Sequence, residues 1–157
     1  MHKGLITIHL IFCFGIFFSC KQSTTDMMDP KPLRNYKLAM VQMEVEGGKL
    51  EENLARAVDR IREAANGGAQ IALLPEVMDL GWTHPSARQL AYEIPNGKTC
   101  QVLCEAAREN SIYVCAGIVE KDGNSLYNAA VIIDPAGKVI LKHRKINELD
   151  IAHDLYA

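Results

Sequence analysis

Two short, unbroken apolar runs, residues 38–41 and 71–74, bracket a stretch in which Leu50, Leu54, Val58, Ile61 and Ala65 recur at steps of four, four, three and four. That spacing follows the 3.6-residue period of a helix. Glu51, Glu52, Arg56, Asp59, Arg60 and Arg62 occupy the remaining faces, so residues 49–65 read as one amphipathic helix. A continuous apolar run of strand length is what a strand buried on both faces presents. Gly47-Gly48 end the first strand and Gly67-Gly68 stop the helix. Pro75 removes a backbone donor and blocks the second strand, which places whatever follows it at a strand end.

Beyond a polar, proline-containing loop at residues 79–97, a shorter helix over residues 100–109 buries Val102, Leu103, Ala106 and Ala107. Residues 113–119 and 127–133 then read as strands joined through Asp122-Gly123-Asn124. Asp134-Pro135-Ala136-Gly137 forms a second tight turn into a strand over residues 138–141. Strand–helix–strand, a further helix and a meander give an α/β fold with a mixed sheet.

The amino-terminal segment follows other rules. Residues 5–18 are almost wholly apolar, shorter than the ~20 residues of a bilayer span but of the right length for the apolar region of a secretory signal. Residues 1–19 are therefore expected to be a signal peptide. Ser19-Cys20 at its end resembles the lipobox of bacterial lipoproteins, which makes Cys20 the expected lipid carrier and residues 20–32 a tether. This reading places the protein in the bacterial cell envelope, exported and lipid-anchored at the membrane.

Charge excludes one class of partner. With 17 basic and 19 acidic side chains and no Lys/Arg block, the chain lacks the basic patch that nucleic-acid binding needs. The cysteines stand in separate contexts. Cys100 and Cys104 are spaced i, i+4 on the second helix, where packing is expected, because that geometry is poor for a disulfide and two thiolates are half of a usual zinc shell. Cys115, inside an apolar strand, reads as core. His143, Asp150, His153 and Asp154 are too dispersed for a metal site, and neither metal nor cofactor is expected.

Two charged residues fall where a scaffold would display them. Glu76 follows Leu73-Leu74-Pro75, and Lys145 follows the strand expected to end at Leu141. A partly buried carboxylate serves as general base and an ammonium stabilises an oxyanion. Hydrolysis through this pair also needs a nucleophile, most simply a thiol that the carboxylate deprotonates. Trp82, on the loop after Glu76 with Met78 and His84, either lines the pocket mouth or plugs the loop onto the core.

Taken in order, the segments at residues 37–43, 71–76, 116–119, 126–134 and 143–145 resemble the nitrilase (carbon-nitrogen hydrolase) superfamily. The resemblance covers residues 33–157 and implies an αββα sandwich, here its N-terminal half, with a Glu-Lys-Cys triad. By that resemblance Glu76 is the general base and Lys145 the cationic stabiliser, while the nucleophilic Cys belongs to a further strand after Ala157 and is absent from this chain. Glu148 is the nearest candidate for a further acid near the site. The resemblance implies a small amide or nitrile substrate, no cofactor, and a homo-oligomer for the full-length enzyme. Half a sandwich is expected to be inactive alone and to leave an apolar sheet face open. The rival expectation is a non-enzymatic envelope lipoprotein, a binding or assembly module that keeps the fold without the chemistry.

Overall fold

The computed structural model describes residues 35–157; the expected signal peptide, Cys20 and the tether lie outside these residues. Five strands, β1 (Leu38–Met40), β2 (Ile71–Leu73), β3 (Tyr113–Asp122), β4 (Ser125–Ile133) and β5 (Val139–Arg144), form one sheet in sequence order. β1, β2 and β3 are parallel, and β3, β4 and β5 antiparallel. Parallel neighbours need crossovers. Helix α1 (Leu50–Asn66) supplies the first, and the segment carrying α2 (Ala87–Leu90) and α3 (Lys98–Glu109) supplies the second. The mixed α/β sheet is thus the one the sequence implies.

The core lies between the sheet and these helices. Ala72 is in register with Val114, Ala116 with Val131 and Ile118 with Ala129, so these side chains share one face and are buried. Leu54, Ala57 and Ile61 of α1 pack into the same core as Leu103 and Ala107 of α3. The helical stripe read from the sequence is therefore real, though Val58 and Ala65 sit at its half-buried margin and Asn53 joins its buried centre.

The other face corrects two expectations. Strand alternation turns Leu38, Met40, Leu73, Tyr113, Cys115 and Leu141 away from the helices, and no described residue layer covers them. Met40 is 80% exposed and Leu38 49%. The apolar runs at residues 38–41 and 71–74 are buried on one face only among the described residues. Cys115 is likewise not core but half-buried on this open face.

The last strand is longer than its charge pattern implies. Lys142-His143-Arg144 reads as a charged strand end, yet Ala129 pairs with Arg144 and Ala130 with His143. The ladder continues because Lys142 and Arg144 project to the face that carries Glu120 and Tyr127, where their charge is met. β3 and β4 are also longer, closing on a turn in which Gly123 takes a φ of 59°.

Candidate active site

Past Pro75 the chain keeps following β3 although it is no longer a strand. The Leu74 N–H donates to the Cys115 carbonyl at 2.8 Å, the Gly117 N–H to the Pro75 carbonyl at 3.2 Å, and the Met78 N–H to the Gly117 carbonyl at 2.8 Å. The turn that bears Glu76 lies directly over Gly117. A Cβ at that position would stand 2.7 Å from the Glu76 Cα, so the close crossing requires glycine. Val77, the next residue, has a φ of 48°, a left-handed conformation that a β-branched side chain adopts only under constraint.

The acid so placed meets two donors. Glu76 Oε1 accepts a hydrogen bond from Asn128 Nδ2 at 2.7 Å and from Lys145 Nζ at 3.0 Å. Asn128 projects from β4, Lys145 is the first residue beyond β5, and the Lys145 N–H donates to the Asn128 carbonyl at 2.8 Å. The two charged residues singled out in the sequence are therefore side by side. The Asn128 amide first, then Lys145, hold the Glu76 carboxyl below its ordinary value against the opposing effect of partial burial. Reciprocally, the hydrogen bond that Lys145 donates to Glu76, together with the carboxylate charge, raises Lys145.

Glu148 completes the cluster. Its Oε2 stands 3.6 Å from Lys145 Nζ, and its side chain is 4% exposed, not a loop carboxylate in solvent. That oxygen is buried without a hydrogen-bond partner among the described residues, which leaves an acceptor aimed at the ammonium. A cleft of about 300 Å³ opens beside the pair, lined by Leu74, Cys115, Gly117, Ala130 and His143. An ionised carboxylate next to an ammonium suits proton abstraction coupled to stabilisation of a developing negative charge. Cys115 reaches this cleft, where burial pushes its thiol up, the opposite of the shift that activates a nucleophile. Cys100, on α3, is pushed up to about 12 chiefly by burial.

Lys145 is presented by a second device. Arg144 grips buried Glu120 through Nε at 2.6 Å and Nη2 at 3.0 Å, reaches Asp122 at 2.7 Å, and lies 3.8 Å over the Tyr127 ring. Lys142 Nζ adds a bond to Glu120 at 2.6 Å. The strand end before Lys145 is thereby fixed on both alternate positions.

Other expectations change. Met78 is fully buried, and the His84 ring packs against Gly47 and Gly48 and bonds the Ser86 hydroxyl, so neither lines the cleft. Trp82, 39% exposed, also lies outside the cleft lining. Among the described residues, no three His, Cys, Asp or Glu side chains converge as metal ligands would. Asn128 has the strongest hold on Glu76, and the sequence reading gave it no role. Its signal was an asparagine in mid-strand, a position that disfavours that residue unless its amide is needed.

The fold is α/β, with an acid–amine pair beyond the carboxyl ends of β2 and β5, the side on which open α/β sheets carry their sites. Residues 37–154 match the carbon-nitrogen hydrolase family, and the chain belongs to it. A nitrilase from Pyrococcus abyssi is 40% identical over 114 residues, covering 71% of this chain. An omega-amidase from Bos taurus is 41% identical over 120 residues, covering 76%. Each match covers 43% of the relative, so the chain spans less than half the length of these proteins. An amidase from Nesterenkonia sp. AN1, with acrylamide added at its active-site cysteine, superposes with a TM-score of 0.71 at 18% identity, over 78% of this chain and 49% of that one. An N-terminal amidase gives a TM-score of 0.66 at 19% identity, over 76% of this chain and 30% of its own. At these identities the likeness is one of fold, with the five-stranded mixed sheet corresponding to about half of the amidase.

Proposed function

We propose that this chain carries the acid and the cation of an amidase-type carbon-nitrogen hydrolase whose nucleophilic cysteine lies outside residues 1–157. The single observation that supports this reading most is the 3.0 Å contact between Lys145 Nζ and Glu76 Oε1, braced by Asn128. In the complete enzyme Glu76 takes the thiol proton, and the thiolate attacks the carbon of a small amide. The carbonyl electron pair moves onto oxygen, where Lys145 meets the negative charge. Collapse of the intermediate expels ammonia or an amine with the proton from Glu76, and leaves a thioester. Water, deprotonated by Glu76, then attacks the thioester and releases the carboxylic acid and the thiol. Glu148, buried against Lys145, acts as the second acid of the site by holding that ammonium in place.

Amide over nitrile is favoured by the likeness to omega-amidases at 37–41% identity. Residues 1–19 act as an export signal and Cys20 as the lipid attachment point, and the catalytic domain assembles as a homo-oligomer at the membrane. General base catalysis typically contributes ~10²–10⁴-fold and an oxyanion contact ~10²–10³-fold. Glu76→Gln and Lys145→Ala in the full-length enzyme are each expected to lower kcat by at least about 100-fold in steady-state amide hydrolysis. A loss under about tenfold in both variants removes the pair from the chemistry.

A further inference from the structure

The acid at position 76 acts only if the turn carrying it holds one shape, and that turn contains the left-handed Val77. Such a conformation is strained and persists where surrounding bonds over-determine it. The rungs from Leu74, Pro75 and Met78 to Cys115 and Gly117 account for the near side of the turn. On the far side, the Val119 N–H is the next β3 donor facing this edge, and no main-chain carbonyl of the turn reaches it. Lys121 N–H, two residues further, is taken by the Tyr92 carbonyl at 2.9 Å. The gap at Val119 is filled by a side chain.

Asp79 Oδ1 accepts the Val119 N–H at 3.2 Å and the Leu80 N–H at 3.0 Å, while Oδ2 lies 3.3 Å from the same Val119 nitrogen and accepts the Thr99 hydroxyl at 3.5 Å. Asp79 is 1% exposed and makes no salt bridge among the described residues. Its own carbonyl is also used, accepting Asn53 Nδ2 from α1 at 2.8 Å. A buried carboxyl without a cation is costly, and a core position that needed only packing would carry an apolar residue. What this one supplies is acceptor geometry, three residues after Glu76.

We propose that Asp79 is a positioning residue for Glu76: its carboxyl provides the rung that the β2–β3 ladder lacks opposite Val119, and so fixes the turn that aims the acid into the cleft. The inference rests on the reading of Glu76 as the general base. The need is for an acceptor at Oδ1 and not for charge. An asparagine accepts from Leu80 and Val119 through its Oδ1 and turns its amide toward Thr99, whereas an alanine leaves the Val119 N–H buried and unbonded.

The test is a double-mutant cycle in the full-length enzyme, with kcat and KM measured for an amide substrate and the active fraction counted by thiol titration. Asp79→Ala is expected to lower kcat about 10–100-fold with KM within about threefold, since small misplacements of a reacting group cost rates of that size. Asp79→Asn should stay within about threefold of the parent, and in a Glu76→Gln background Asp79→Ala should cost less than about threefold more. An unaltered kcat in Asp79→Ala, or the same fold-loss in both backgrounds, overturns the proposal. A near-normal rate in Glu76→Gln alone instead overturns the base assignment. Should Asp79→Ala not fold, Asp79→Ser, whose hydroxyl is too short to reach Val119, is judged by the same criteria.

Discussion

The strand ends that meet at the cleft are immobilised by opposite electrostatic means. Behind Glu76 lies Asp79, a buried carboxyl ringed by hydrogen-bond donors with no cation among the described residues; behind Lys145 lies Glu120, a buried carboxylate clasped by Arg144 and Lys142. Burial pushes Asp79 up to about 7, because backbone and hydroxyl donors only partly offset the loss of water. Burial also pushes Glu120 upward, but there the bonds from Arg144 and Lys142 outweigh it and the carboxyl sits below its ordinary value. One anchor relies on hydrogen-bond donors alone, and the other is built from paired charge.

The contrast is sharpest in the effect of removal. Glu120→Ala is expected to lower the unfolding free energy by about 2–4 kcal/mol in urea melts, because two partly covered cations lose their partner. Asp79→Asn keeps the hydrogen bonds of its neighbours and should lose less than about 1 kcal/mol at neutral pH. Equal losses in both would erase the distinction.

The two anchors are also expected to differ in pH dependence, with opposite signs. Folded Asp79, raised from 3.8 to about 7, binds a proton that the unfolded chain releases. Its contribution to stability is therefore greatest below about pH 4, declines as pH rises to about 7, and is level above that. Glu120 is depressed from 4.5, so its contribution is full above that value and is lost as pH falls through the lower folded one. Subtracting the Asp79→Asn stability curve from that of the parent should give a fall of ~1–4 kcal/mol between pH 4 and 7. A flat difference curve would mean that Asp79 carries a countercharge.

The smallest effect concerns Asn128. Removing its amide in Asn128→Ala of the full-length enzyme releases the largest restraint on Glu76, so the acid limb of the kcat/KM profile should move upward. A limb that stays in place would transfer that restraint to Lys145.

Much of this was legible in the residue order, and for a local reason. The α1 stripe and the break at Pro75 are properties of neighbouring residues, so they announce a helix and a strand end directly. The pairing of Glu76 with Lys145 came from recognising an ordered set of segments, since 69 positions separate them and no periodicity links them. Hidden were the residues whose purpose is tertiary. Glu120 gives no local sign of its role until Arg144 reaches it from a strand two places on, and the charges of Lys142 and Arg144 read as the end of β5 because the partner that meets them is distant in sequence. Asp79 looks like a loop acid, yet its donors belong to β3 and α3. Cys115 shows the converse error: its apolar neighbours imply core, but alternate strand residues face opposite ways, and the side it faces is open among the described residues.

Gly117 sets the tolerance of the whole arrangement. With the Glu76 Cα, the Val77 nitrogen and the Pro75 carbonyl all within 3.0 Å of where a methyl would stand, there is no soft side chain to give way, only main chain. A single added carbon would work like a shim beneath a lens, tilting the carboxylate off its target while the rest of the sheet stayed true. A position that carries no side chain thus decides where a distant one points.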